Sequence, residues 1–230
     1  MQNSKNTKYS GVTEKFNMEV MTNYNNHIVE VALSNFKNVK KCIDFGAGIG
    51  TLALILRKKF NINPVCIEID EDNIDYLKKR KFKFVRNLKS APSENDLIFS
   101  SNVLEHIKDD QNTLNLMKKK LKKNGILIIM VPAHQKIYGN LDKAVGHFRR
   151  YEISFFKKNF KSLETISLRF LDSMGYLLYY LNKLFFTKEV YPSNLKIFIW
   201  DKIFTPITIL VDFLLRYKFG KCILAIYKKN

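Results

Sequence analysis

The sequence predicts a doubly wound α/β fold, in which helices cover both faces of a mostly parallel β-sheet. Short apolar runs of strand length alternate along the chain with helical segments of ten or more residues. The first of these runs, Cys42–Phe45, ends in a glycine-rich turn that opens a helix. Strands that alternate with helices in this way form parallel sheets that are covered on both faces.

The regular elements begin after a polar tail of ten residues. Apolar residues at helical spacing predict one or two amphipathic helices between Val12 and Phe36. The predicted strands that follow are Cys42–Phe45, Pro64–Ile69, Phe82–Arg86, Asp96–Ser100 and Gly125–Val131, and the predicted helices include Thr51–Phe60 and Asp72–Arg80. The lysine-rich run 118–123 is interpreted as a solvated helix C-terminus ahead of Gly125, in preference to a nucleic-acid patch.

The alternation of predicted strands and helices becomes less regular after Val131. Pro132–Tyr151 is predicted to be a long polar loop, and loops of this length in compact domains are usually functional or disordered. Residues 162–171 are compatible with a further strand. Two aromatic-rich helical stretches are predicted between Asp172 and Lys218, and Cys222–Tyr227 is predicted to be the final strand.

The composition describes one large domain, or one domain with an appendage. The chain has 230 residues, of which 46% are hydrophobic, so it can bury a sizeable core, and disordered or disulfide-stapled classes are excluded. The three cysteines form no CxxC motif, which favours a reducing cytosol and no structural zinc site. We see no secretory signal and no apolar run of roughly 18 residues, so we expect a cytoplasmic protein that is soluble or lies on a membrane surface.

The net charge of +18 admits two interpretations. Such a field attracts polyanions, which include nucleic acid, anionic lipid headgroups and phosphorylated substrates. The same charge also arises when lysines simply cover ordinary solvated faces of a chain rich in Lys, Asn and Ile. The charge alone therefore does not select a partner.

The strongest chemical signal is the run Asp44-Phe45-Gly46-Ala47-Gly48-Ile49-Gly50, which joins a predicted strand to a helix. Glycines there let a ligand approach the backbone closely, and the helix N-terminus offers free N–H groups. Asp44 can order this loop and meet a cationic ligand. Glu68 ends the second strand, 20 residues past Gly48, where a carboxylate can accept both hydroxyls of a ribose. Asp70 and Asp72 are interpreted as helix N-terminal caps.

These residues resemble class I S-adenosylmethionine-dependent methyltransferases. The resemblance covers about residues 40–131 and includes the glycine-rich run, Glu68, and the two segments Asp96–Ile107 and Leu121–Ile129. Gly139–Asp142 and the run Gly146-His147-Phe148-Arg149-Arg150-Tyr151 look like a bacterial subgroup that is often linked with cell-envelope and glycolipid chemistry.

The resemblance implies a seven-stranded sheet whose last strand is antiparallel, together with N-terminal helices and a helical insertion before that strand. It divides the chain into a tail with cap helices (1–37), a cofactor-binding core (38–171), an aromatic-rich insertion (172–220) and the final core strand (221–230). It also implies that S-adenosylmethionine is the cofactor. The implied cofactor-binding residues are Asp44, Gly46, Ala47, Gly48, Gly50, Glu68, Ile69, Asn87, Leu88, Ser100, Ser101 and Asn102, although many relatives carry Asp where this chain has Asn87.

An oxygen nucleophile must lose its proton during methyl transfer, which favours a nearby His or carboxylate. The candidates for the catalytic base are His106, His134 and His147. One quinone-pathway branch of the family binds a divalent metal through a Glu-x-x-Glu-His pattern, but the first position here is Asn102, so no metal is predicted. The alternative for Glu105-His106 is a structural helix start that lines the cofactor pocket.

Adjacent arginines beside a His and a Tyr can grip a phosphate or carboxylate. The candidate substrate-binding residues are therefore Tyr138, Arg149, Arg150 and Tyr151. The alternative for this loop, held equal, is that salt bridges to Asp142 or Glu152 tie it down.

The aromatic-rich insertion also has two interpretations. It is either a helical cap or homodimer face, or an amphipathic surface for an anionic membrane. We therefore expect an O- or N-methyltransferase acting on a small-molecule or lipid- or glycan-linked acceptor, peripheral to the membrane. The less favoured alternatives are a methyltransferase of RNA or other nucleic acid, which would use the charge, and a non-catalytic cofactor-binding module.

Overall fold

The computed structural model describes residues 19–185 and 193–230, without the side chains of residues 182–185. Its strands are β1 (Cys42–Phe45), β2 (Val65–Ile67), β3 (Lys83–Val85), β4 (Asn95–Ser101), β5 (Leu121–Pro132), β6 (Leu163–Leu171) and β7 (Cys222–Lys229). They form one sheet in the order β3-β2-β1-β4-β5-β7-β6. The first five strands pair in parallel, and β7 runs antiparallel to both of its neighbours. This confirms the predicted mostly parallel, seven-stranded sheet.

Helices surround this sheet. They are α1 (Thr22–Leu33), α2 (Thr51–Phe60), α3 (Glu71–Lys79), α4 (Asp110–Lys120), α5 (Asn140–Ala144), α6 (Ile153–Asn159), α7 (Ser173–Phe185), α8 (Asn194–Ile199) and α9 (Thr205–Leu214). The helix α2 has its predicted bounds. The Asp70 side chain accepts the Asn73 N–H at 3.1 Å, which confirms Asp70 as the cap of α3.

Both faces of the sheet are buried, which is why the strands are apolar at successive positions. On one face, Ile98 and Ile129 pack with side chains of α4 and α6, including Met117 and Phe156. On the other face, the core contains Phe99, Met130 and Ile128 with Ile28 and Val29 of α1 and Leu56 of α2. The carboxyl ends of β1, β2 and β4 remain at one edge, where a ligand can reach them.

The structure refines three local predictions. Lys118, Lys119 and Lys120 form the last turn of α4, which confirms a helix C-terminus in the lysine run. The run then continues into β5, because Leu121 is fully buried and already pairs with Asn95 in the sheet. The segment 132–151 is not wholly loop, since it contains α5 and a 3-10 turn at Gln135–Ile137. The N-terminal helical region begins α1 at Thr22, and residues 12–18 lie outside the described residues.

Buried carboxylates attach the segment between β6 and β7 to the sheet. Asp212 of α9 accepts the backbone N–H groups of Asp172 and Ser173, at 2.7 and 2.9 Å. Asp201 accepts the Tyr24 N–H at 3.0 Å and so joins this segment to α1. Because Asp201 and Asp212 are fully buried, these bonds form away from water, where a missing partner is costly.

We expect Asp212→Ala to lower the free energy of unfolding by roughly 2–5 kcal/mol, because two buried N–H donors would lose their acceptor at about 1–3 kcal/mol each. Urea denaturation followed by circular dichroism measures the change. Asp75→Ala is the control, since Asp75 forms a solvent-exposed ion pair with Lys78 and its loss should leave the unfolding midpoint nearly unchanged. Equal effects in both variants would contradict the structural role of Asp212.

Candidate functional site

The loop between β1 and α2 is closely packed at Gly46 and open at Gly48. Gly46, Gly48 and Gly50 all have positive φ values, of 76°, 56° and 84°. A Cβ at Gly46 would overlap the Val103 side chain, so the loop lies directly against the segment that follows β4. A Cβ at Gly48 would meet no heavy atom of the described residues within 4 Å. The loop therefore leaves room for a ligand at Gly48 and has none at Gly46.

Two buried polar side chains lie on adjacent strands beside this loop. Asp44 is 3% exposed and Ser100 is 1% exposed, on the adjacent strands β1 and β4. The Oδ2 atom of Asp44 and the Oγ atom of Ser100 have no hydrogen-bond partner among the described residues. Burial, and then the nearby Glu68 carboxylate, raise the pKa of Asp44 to about 7. A cationic polar ligand such as the methionine part of S-adenosylmethionine fits these unsatisfied atoms.

Glu68 connects the glycine loop to the end of β2. Its Oε2 atom accepts the Gly48 N–H at 2.7 Å. Its Oε1 atom accepts the N–H groups of Ile69 and Asp70, at 2.8 and 3.0 Å. Each carboxylate oxygen has two lone pairs, so Oε2 keeps one for a ligand hydroxyl.

The other predicted cofactor residues lie along the same edge. Ile69 is 76% exposed, which leaves its side chain available to an adenine ring. Asn87 accepts the N–H and the hydroxyl of Ser90, at 2.9 and 3.1 Å, while Leu88 is buried. Asn102 donates its side-chain N–H to the Ser101 hydroxyl at 3.3 Å, just after β4. Cofactor contact by these residues stays a prediction.

The loop after β5 packs onto the 3-10 turn Leu104–His106, which follows β4. The Phe148 N–H donates to the Glu105 carbonyl at 2.7 Å. The ring of His147 meets the ring of His106 edge-on, with 4.6 Å between their centroids. Since Val103 touches the glycine loop, His106 lies on the segment that borders the predicted cofactor side, and His147 packs against it from the loop after β5.

Asp142 of α5 holds this arrangement together. Its carboxylate accepts hydrogen bonds from the Gly139 N–H (2.9 Å), His147 Nδ1 (2.8 Å), Arg150 Nε (2.9 Å) and the Tyr179 hydroxyl (3.0 Å). Burial alone would raise its pKa, but the bond from His147 and the charge of Arg150 lower the pKa of Asp142 to about 2. Asp142 is therefore an anion at neutral pH.

This anion determines where His147 carries its proton. An ionised carboxylate can only accept, so Nδ1 of His147 must be the donor. In the neutral imidazole, Nε2 then carries the lone pair, and it lies 3.9 Å from Oε1 of Glu105. A His oriented by a carboxylate in this way is suited to take up a proton.

Glu105 and His106 complete the group. Both carboxylate oxygens of Glu105 are fully buried and have no hydrogen-bond partner among the described residues. Burial raises the pKa of Glu105 to about 8, and burial followed by the effect of His147 lowers the pKa of His106 to about 4. Glu105, His106 and His147 offer ligand atoms within 4.8 Å of one another, which is a possible arrangement for a metal ion that the sequence does not predict.

The predicted substrate-binding residues all have partners within the protein. Arg150 and Tyr151 are buried, and the Tyr151 hydroxyl donates to the Leu104 carbonyl at 3.0 Å and to Asp110 at 2.9 Å. The polar groups of Arg150 and Tyr151 are thus engaged within the protein, and their contact with a substrate stays a prediction.

The two remaining residues of this set are more accessible. Tyr138 donates to the His147 carbonyl at 2.6 Å. Arg149 pairs with Asp110 at 2.7 Å, and its side chain is 30% exposed, so it can still reach an acceptor.

His134 lies in a different environment from the other two candidate bases. Its ring stacks on Phe170 at 5.0 Å and packs against Tyr176, and its Nε2 atom is 3.0 Å from the Gly220 carbonyl oxygen. The structure therefore brings His106 and His147 together and places His134 in an aromatic cluster beside β6.

Sequence reasoning missed the role of Asp142, which it considered only as a salt-bridge partner. A carboxylate five residues before His147 and eight before Arg150 is the signal that was present. Nothing in the sequence indicated that Tyr179, which is 37 residues away, would join the same carboxylate.

A family model described as a methyltransferase domain matches residues 19–169, well over half of the chain. The chain belongs to this methyltransferase family. The family and the fold confirm the predicted enzyme class, an S-adenosylmethionine-dependent methyltransferase of class I. No curated protein matches the chain significantly.

Solved structures share the fold at low identity. A methyltransferase from Archaeoglobus fulgidus is 23% identical, with a TM-score of 0.61 over 89% of this chain and 92% of that one. A Haloferax volcanii methyltransferase solved with the activator Trm112 is 11% identical, with a TM-score of 0.65 over 98% and 99%. Phosphoethanolamine N-methyltransferase 2 from Haemonchus contortus, solved with S-adenosylmethionine, is 14% identical, with a TM-score of 0.65 over 97% of this chain and 58% of that one.

The raised pKa of Asp44 predicts a pH-dependent affinity for the cofactor. A cationic ligand favours the ionised carboxylate, so binding should release a proton and tighten roughly tenfold between pH 5.5 and 7.5. Isothermal titration calorimetry with S-adenosylhomocysteine measures this change. Asp44→Asn should bind more weakly and without this increase.

The ionisation of Asp44 has the opposite effect on the stability of the ligand-free protein, which falls as the pH rises. Because the folded pKa of Asp44 lies above its ordinary value of 3.8, the stability that Asp44 contributes is fully present below about pH 4 and is lost as the pH rises to about 7. An affinity that falls as the pH rises, or an unchanged profile in Asp44→Asn, would contradict the assignment of Asp44 to the cofactor site.

Proposed function

We propose that this enzyme methylates an oxygen or nitrogen atom of a small-molecule or lipid- or glycan-linked acceptor, with His147 as the general base. The observation that carries this proposal is the 2.8 Å hydrogen bond between Asp142 and Nδ1 of His147, beside the turn that follows β4. This bond places the Nδ1 proton toward Asp142, so that Nε2 is the ring nitrogen that would take up the acceptor's proton.

The residues at the glycine loop fit the cofactor. Glu68 would bind the ribose hydroxyls, Asp44 and Ser100 the methionine part, and Gly48 would leave room for it. When bound, S-adenosylmethionine supplies a methyl group that its sulfonium has already activated. The protein's task is then to align the acceptor atom and to remove its proton.

His147 is the best placed of the three predicted bases. Asp142 would stabilise the imidazolium that forms when His147 takes up a proton. The pKa of His106, lowered to about 4, makes His106 a weak base, and Glu105 with a raised pKa of about 8 is mostly protonated at neutral pH. His106 is therefore proposed to line the acceptor site and Arg149 to contact an anionic group of the acceptor, while the fully buried Glu105 is proposed only to support this turn.

The cellular setting of the reaction is also part of the proposal. Cys42, Cys66 and Cys222 are free and buried, which supports the expected cytoplasmic location. Among the described residues, none of the helices is long and apolar enough to cross a membrane.

The test supplies purified enzyme and radiolabelled S-adenosylmethionine to a cell extract and separates the products between organic and aqueous phases. We expect label in the organic phase or in small polar molecules, and a turnover number about 10²–10⁴ times lower in His147→Ala, the usual contribution of a general base. Nuclease-sensitive label would instead identify a nucleic-acid acceptor.

Three controls separate the possible causes of a loss of turnover. His147→Ala should bind S-adenosylhomocysteine as tightly as the wild type does. His134→Ala should keep its turnover within a few fold. A chelator should leave the wild type active, whereas loss of activity that added metal restores would show that Glu105, His106 and His147 bind a metal. Full turnover in His147→Ala would overturn the proposed base.

A further inference from the structure

The segment Asn194–Leu214 is a helix whose buried side chains are mostly polar and whose solvent-exposed side chains are mostly apolar. It runs from α8 through a π-helical stretch, Trp200–Phe204, into α9 without a break. On its buried face, Asp201, Thr205, Thr208 and Asp212 are each no more than 2% exposed, and Ile197, at 6%, is the apolar residue among them. A helix on the surface of a water-soluble protein normally shows the reverse, with apolar residues inside.

The outward face of this helix is apolar. We call it the outer apolar surface, and it consists of Leu195 (67% exposed), Phe198 (53%), Ile203 (54%), Ile207 (42%), Leu210 (59%) and Leu214 (68%). The spacings of three and four residues keep these side chains on one face. The single step of five, from Phe198 to Ile203, crosses the π-helical stretch, which accommodates one additional residue per turn.

The polar inward face prevents the helix from rotating about its axis to bury its apolar side chains. Asp212 holds the N–H groups of Asp172 and Ser173, and Asp201 holds the Tyr24 N–H. Reversing the helix would leave these buried donors without acceptors. The apolar side chains are thus fixed in an outward position in which they do not contribute to the core.

The exposed charges within this stretch of the chain have one sign. Between residues 193 and 219 the exposed charged side chains are Lys196, Lys202, Arg216 and Lys218, whereas Asp201 and Asp212 are fully buried. Lys202 pairs with Asp201 at 2.9 Å, and the other cations lie in the same stretch of chain as the apolar stripe. Aliphatic side chains flanked by cations match the acyl and headgroup layers of an anionic membrane.

We propose that the outer apolar surface docks the enzyme on the surface of an anionic lipid bilayer. The apolar stripe enters the headgroup boundary, and the flanking lysines and arginine contact lipid phosphates. A second copy of this chain fits less well, because each copy carries a net charge of +18 and presents the same cations. This inference does not depend on which acceptor the enzyme methylates.

The test is sedimentation of the purified enzyme with vesicles of phosphatidylcholine that contain phosphatidylglycerol. We expect binding to these vesicles, weaker binding in high salt and little binding to phosphatidylcholine alone. Leu210→Glu and Leu214→Glu should each reduce the partition coefficient by about tenfold or more, since each removes one leucine from the apolar phase.

Ile166→Glu is the matched control, because Ile166 is a 39% exposed apolar residue of β6 outside the outer apolar surface. It should bind vesicles as the wild type does, and all three variants should melt at similar temperatures. Failure of the wild type to bind anionic vesicles would overturn the proposal. A wild-type dimer in analytical ultracentrifugation that Leu214→Glu converts to monomers would overturn it in favour of a second copy.

Discussion

A buried carboxylate that must satisfy its charge organises the acceptor side of this enzyme. Asp142 is 1% exposed, and its four hydrogen-bond donors come from the residues on either side of α5 and from helix α7. An unpaired charge in that position would be too costly to keep, so these donors are drawn together around it. The same requirement fixes the orientation of His147 and thereby links the stability of the loop to its chemistry.

The parallel sheet supplies the second half of the site. Because β1, β2 and β4 end at one edge, Asp44, Glu68 and Ser100 meet there although 56 residues separate the first from the last. The absence of a side chain at Gly46 lets the loop lie against Val103, which leads into Glu105 and His106. The glycine loop is therefore linked through Val103 to the turn that carries Glu105 and His106, which is the continuity that the proposed alignment of methyl group and base requires.

Features that depend on residues close together in the sequence could be predicted from it. The strand Cys42–Phe45, the helix Thr51–Phe60 and the turn between them follow from apolar runs and glycines within twenty residues. Features that depend on distant partners could not be predicted. Leu121 became a strand residue because it pairs with Asn95, and the polar face of α9 is buried because Asp212 meets Asp172. The antiparallel last strand came from the family resemblance and not from the residue pattern.

The most direct test of this account is the protonation of His147, observed by ¹⁵N NMR of histidine-labelled protein with His147→Ala to assign its resonance. The account predicts that, when neutral, His147 carries its proton on Nδ1, and that Asp142→Asn weakens this preference. The free imidazole of histidine favours the other tautomer, so the observation would be specific. A His147 that is neutral with its proton on Nε2, or one that remains an imidazolium throughout the range in which the enzyme is active, would contradict its role as the base.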